Sequence, residues 1–195
     1  MSGSLFAIGL VLAYLINWLS FIILLVDSLL LVIYSAYVKR KSGFAANVLV
    51  GLLTGTAFIY GEATIFQTIS LISISLYPIG FGTISGNILR DVLSLEGDSK
   101  VGYPTLPKEI GITKSVIIAS LFLITSAIFA PFPFFLVPFG LFYLIPISLW
   151  SILLIIASVR LLTSPSTVEH VKKYERMVTM SMTFLLLSLI LEAVF

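Results

Sequence analysis

The chain has 195 residues, 59% of them hydrophobic and 10% charged, with a mean hydropathy of +1.16. A soluble domain carries about 25% charged residues, so there is too little polar surface here to clothe a water-facing globule. That excludes a soluble enzyme, a disordered chain and a nucleic-acid-binding module, and leaves an all-α polytopic membrane bundle in a lipid bilayer. The net charge of +2 says little as a total, and the absence of cysteine excludes disulfides and thiolate metal sites.

The first apolar block, residues 5–38, has no basic leader and no small-residue cleavage site, so it reads as structure. As one helix it would reach roughly 50 Å, so it is split near residues 18–27 into two short helices, with Asp27 as a turn residue. No Gly or Pro marks that turn. Further spans are expected at 45–60, 63–93 (interrupted by Pro78, Gly80 and Gly82), 115–132, 135–162 (with Pro138 and Pro146) and 178–195. The total is about seven spans in a single transmembrane domain, residues 1–195. An unsplit first block would give six. Gly51 and Gly55 form a G-x-x-x-G pair that predicts close helix packing. Glu62 reads as a short-loop residue on the outer face, and His170 as a solvated residue of a basic loop.

All eleven Lys and Arg residues fall in every second connection or at the helix ends facing it. The alternate connections, near residues 18–27, 61–63 and 131–133, contain none. The positive-inside rule therefore places the three basic loops in the cytoplasm. The membrane is expected to be the cell membrane.

The most informative segment is residues 90–111, RDVLSLEGDSKVGYPTLPKEIG. It holds Asp91, Glu96, Asp98 and Glu109 together with Arg90, Lys100 and Lys108. Carboxylates near a helix C-terminus oppose the macrodipole and favour a cation beside them. Mg²⁺ takes carboxylate oxygens and commonly bridges to phosphates. Arg90, Lys100 and the run Lys39, Arg40, Lys41 share that membrane face and could meet the remaining phosphate charge. The residues thus point to a Mg²⁺-diphosphate site at the cytoplasmic interface. A solvated mixed-charge loop that only fixes topology is the plainer alternative.

This segment resembles the second aspartate-rich region of the UbiA-type intramembrane prenyltransferases, R-E-x-x-K-D-x-x-D-x-E-G-D-x-x-x-G-x-x-T-L-P. Asp91, Glu96, Gly97, Asp98, Gly102, Thr105, Leu106 and Pro107 match in order and spacing. Upstream, Tyr34, Ser35, Lys39 and Arg40, then Asn47 and Val50, are similar to the family's Y-S-x-x-L-K-R and G-N-x-x-V segments. In detail the pair is nearest in look to the archaeal branch that prenylates geranylgeranylglyceryl phosphate, and to chlorophyll synthases.

The resemblance implies a Mg²⁺-dependent transferase. It would move a prenyl group from a prenyl diphosphate to a membrane acceptor, either a lipid such as geranylgeranylglyceryl phosphate or an aromatic. It implies Asp91 and Asp98 as catalytic metal carboxylates and Glu96 as a supporting metal ligand. Lys39, Arg40, Asn47, Arg90 and Lys100 would bind substrate. It also implies nine helices and an earlier N-x-x-x-D-x-x-x-D motif. This chain is expected to begin at the third helix, without that motif, and Ser94 stands where the family has Asp. A short, inactive relative is therefore one expectation. The alternative class is a non-catalytic membrane subunit or a small transporter.

Overall fold

The computed structural model describes residues 2–97, 102, 104–164 and 167–195. Helix α1 (Ser2–Ile16) ends at Asn17, which leaves helical geometry at φ −169°, ψ 162°. The Asn17 side chain makes the break. Its Oδ1 accepts the Ser20 N–H at 2.8 Å and caps α2. Its Nδ2 donates to the Ala63 carbonyl at 2.9 Å.

Helix α2 (Trp18–Lys41) then runs unbroken through the expected turn. Asp27 is therefore not a turn residue: it lies inside α2, where the Thr56 hydroxyl of the next helix donates to its carboxylate at 2.9 Å. Six helices are long and apolar enough to cross a membrane, and α1, whose apolar stretch is Ser4–Ile16, is the shorter seventh segment. The expected seven spans resolve into these six and one short helix, which makes the chain an integral membrane protein.

Helix α3 (Gly43–Phe66) is capped by Ser42 and stops at Gln67 in the left-handed region, φ 55°. It is longer than the 45–60 span and takes in Glu62, which is thus no loop residue. Glu62 accepts the Ser70 N–H at 2.9 Å and the hydroxyls of Ser70 and Ser73. A carboxylate at the N-terminus of α4 (Leu71–Leu93) suits the helix dipole. Within α4 a 3₁₀ turn, Tyr77–Gly80, accommodates Pro78. The Gly51–Gly55 pair does mark close packing. A Cβ on Gly80 would lie 2.4 Å from the Gly51 carbonyl and 2.8 Å from the Gly55 nitrogen, so α3 and α4 touch through main chain.

After the short α5 (Leu106–Ile110) come α6 (Ile112–Phe129), the single turn α7 (Pro133–Leu136), α8 (Leu141–Thr163) and α9 (Val168–Val194). Pro146 is inside α8, whereas Pro138 lies in the connection before it. Helix α9 begins ten residues ahead of the expected 178, capped by Thr167, so the basic segment forms its first turns. His170 is there half-buried, with Nε2 3.2 Å from the Arg160 carbonyl oxygen. At the far end Glu192 accepts the N–H groups of Gly140 and Tyr143 at 2.8 and 3.1 Å, closing the start of α8.

Helices α4, α6, α8 and α9 pack around one core that includes Ile88, Leu89, Leu123, Trp150, Leu154 and Val171. Helices α3, α2 and α1 follow outward, each resting on its neighbour in sequence. Lipid tails are as apolar as leucine, so close packing rather than hydrophobic transfer holds such helices together. Buried serines serve that end. Ser115, Ser120, Ser151, Ser158, Ser181 and Ser188 each donate to a carbonyl three or four residues back. The described Lys and Arg residues fall at the C-terminal ends of α2, α4 and α8, in α5, and at the N-terminal ends of α6 and α9.

Candidate functional site

At this basic end a cavity of about 500 Å³ opens between α2, α3 and α4. Tyr34 and Lys39 line it from α2, Asn47 from α3, and Asn87, Arg90, Asp91 and Ser94 from α4 and its end. Pro104 and Thr105 close it from the segment before α5.

Each wall has a local cause. In an α-helix, residues five apart point about 140° away from each other. Tyr34 and Lys39 share the cavity because residues Tyr34–Val38 form a π-helical turn. There the Lys39 N–H bonds the Tyr34 carbonyl, setting one residue above the other. The floor is thin because α3 starts at Gly43. A Cβ there would sit 2.5 Å from the Pro104 oxygen and 2.6 Å from Thr105 Cα, so only glycine lets that main chain seat. Across the cavity, Asn47 Nδ2 donates to Asp91 Oδ2 at 2.7 Å and ties α3 to α4. Arg90 reaches in both directions. Its Nη1 donates to Asn87 Oδ1 at 3.4 Å and its Nε pairs with Glu175 of α9 at 3.3 Å.

The cavity thus gathers two cations, two amides and one carboxylate. Such a set suits a multiply charged anion, with a hard cation between it and Asp91. Among the described residues no three Asp, Glu, His or Cys side chains come together. A metal here would therefore complete its shell from ligand oxygens and water, as Mg²⁺ commonly does.

Of the residues singled out in the sequence, Lys39, Asn47, Arg90 and Asp91 meet in this cavity. Arg40 and Glu96 are exposed and do not line it. Asp98 and Lys100 lie outside the described residues. Sequence reasoning assigned no role to Tyr34, Asn87 or Thr105, although Tyr34 and Thr105 stand in the quoted motifs. It also missed Glu175, 85 residues from Arg90, for which no local signal exists.

Residues 1–187 match the family model described as the UbiA prenyltransferase family. The digeranylgeranylglyceryl phosphate synthase of Methanocaldococcus jannaschii is 32% identical over 99% of this chain and 67% of its own length. Those of Natronomonas pharaonis and Methanococcus aeolicus are 33% and 32% identical, over 74% and 91% of this chain. The matched regions span only 52% and 62% of those two relatives. A solved structure from work on digeranylgeranylglyceryl phosphate synthase in membranes superposes with a TM-score of 0.85 at 30% identity. It covers 99% of this chain and 68% of the solved chain.

Proposed function

We propose, from the premise that this chain belongs to the UbiA prenyltransferase family, that its basic-end cavity binds a prenyl diphosphate for transfer to a membrane acceptor. The observation that carries this reading is the convergence of Lys39, Asn47, Arg90 and Asp91, from three helices, on one cavity. Lys39 and Arg90 would hold phosphate oxygens. Asn47 fixes the Asp91 carboxylate toward the cavity. Asp91, with Asp98, would hold Mg²⁺, which when bound neutralises the diphosphate as the allylic C–O bond breaks. The isoprenoid tail would lie in the apolar space between helices.

The acceptor we favour is geranylgeranylglyceryl phosphate, the substrate implied by the relatives' name. The positive-inside rule turns the basic end and its cavity toward the cytoplasm, and we assign the protein to the cell membrane. Residues 1–195 act as one transmembrane domain. Ser94 lines the cavity where the family's motif has Asp, so transfer by this chain alone is expected to be slow or absent while binding persists.

The test is titration of the detergent-solubilised chain with geranylgeranyl diphosphate. Binding should require Mg²⁺, vanish with chelator and vanish in Asp91→Ala. A wild-type chain that binds no diphosphate at any Mg²⁺ concentration ends the proposal.

A further inference from the structure

Thr105 is the N-cap residue of α5, at φ −110°, ψ 151°, yet its hydroxyl makes no capping bond. A threonine at this position ordinarily spends its oxygen on the N–H of the second or third helical residue. Here the second is Pro107, which has no N–H. The N–H groups of Lys108 and Glu109 go to the Thr105 carbonyl instead, at 3.0 and 3.1 Å. The main chain thus closes the helix start and releases the hydroxyl.

That released group is in an uncomfortable place. Thr105 is only 6% exposed, and its Oγ1 is buried with no hydrogen-bond partner among the described residues. Buried hydroxyls are nearly always satisfied, and an orphan calls for an explanation. The main chain of Pro104, Thr105 and Leu106 lies against Gly43 where a Cβ would be, which fixes the place of the backbone that carries this hydroxyl. Thr105 lines the same cavity as Lys39 and Arg90, whose charges suit an anion.

We propose that Thr105 is a substrate-binding residue whose hydroxyl donates to a phosphate oxygen of the bound diphosphate. The assignment rests on the diphosphate reading of the cavity. It gives the hydroxyl, which has no partner among the described residues, an acceptor. It also explains why the 104–106 main chain is pinned so tightly: the donor is held in place before the ligand arrives.

The experiment compares the full wild-type chain with T105V, which keeps the shape and loses the hydroxyl, and T105S, which keeps the hydroxyl. Each is titrated with geranylgeranyl diphosphate and Mg²⁺ in detergent micelles, and its ligand-free thermal midpoint is measured. T105V should bind at least about tenfold more weakly, the loss expected for a hydrogen bond to a charged acceptor, while T105S stays near wild type. The ligand-free midpoint of T105V should equal or exceed that of wild type, since an unsatisfied buried group has been removed. Equal affinity in wild type and T105V overturns this assignment alone. So does a lowered T105V midpoint, or equal weakening in T105V and T105S, because either marks a structural role. Failure of the wild type to bind overturns the diphosphate reading and this assignment with it.

Discussion

Gly51→Ala probes the crossing that positions both walls of the cavity. The added Cβ would lie 2.1 Å from Ile84 Cγ1, 2.9 Å from its Cδ1 and 3.0 Å from the Gly80 oxygen. Ile84 is 1% exposed, and its Cγ1 sits next to the backbone, so the side chain cannot swing clear. Ordinary contact begins at 3.4 Å, so α3 and α4 must part by about 1.3 Å. Overpacking of this kind costs about 1–3 kcal/mol. One turn away, a rigid separation of that size would stretch the 2.7 Å Asn47–Asp91 hydrogen bond to about 4 Å, beyond any hydrogen bond. A lost bond to a charged acceptor costs about 1.5–3 kcal/mol. The two effects share one displacement and are not additive, so a total near 3 kcal/mol is expected. Gly61→Ala is the control: nothing lies within 4 Å of its Cβ, and the change should be neutral or slightly stabilising. Unfolding in mixed detergent and dodecyl sulfate micelles, followed by the fluorescence of buried Trp150, measures both. A Gly51→Ala chain as stable as Gly61→Ala would refute the claim that main-chain contact sets this crossing.

Two more predictions follow from termini and turns. Glu192→Ala removes the acceptor for the Gly140 and Tyr143 N–H groups at the start of α8 and should cost about 1–2 kcal/mol in the same unfolding assay. Deletion of Ala36 removes the extra residue of the π-helical turn and leaves Lys39 four residues after Tyr34, which in an α-helix keeps both on one face. Diphosphate affinity should then stay close to that of wild type and well above that of Lys39→Met, with helix content by circular dichroism unchanged.

The segmentation into apolar helices was legible because hydropathy and the placement of Lys and Arg report the bilayer directly. The breaks within that pattern were not. Asn17 ends α1 with a side chain that finds its partner at Ala63, 46 residues away. Asp27 looked too costly for a helix interior, and only the fold reveals that Thr56 answers it. Hydropathy also clipped α9, since Lys172, Lys173 and Arg176 hide a helix that continues past the apolar zone. At the site, Lys39, Asn47, Arg90 and Asp91 could be read from motifs, because those residue types carry the chemistry. The exclusion of Arg40 follows from its place one step around the helix from Lys39. The roles of Tyr34 and Thr105 depend on a π-helical turn and a displaced cap, which are properties of the backbone and not of residue type.

The self-satisfied serines bear on how the protein comes to be made. Each of these six hydroxyls is answered by a carbonyl three or four residues back, so none of them carries an unmet donor into the hydrocarbon, whereas Ser126 of α6 donates across to the Ile79 carbonyl of α4. A nascent segment can leave the ribosome, enter the bilayer and rest there as a lone rod, without waiting for a partner to quench it. Docking then becomes a separate, later event that depends on surface fit, with the narrow serine positions letting neighbouring rods slide together. Three polar links that cross between segments, Asn17 with Ala63, Thr56 with Asp27 and Asn47 with Asp91, join helices made one after another, whereas Arg90 with Glu175 must wait for α9. The order of synthesis is thus also the order in which those links can close.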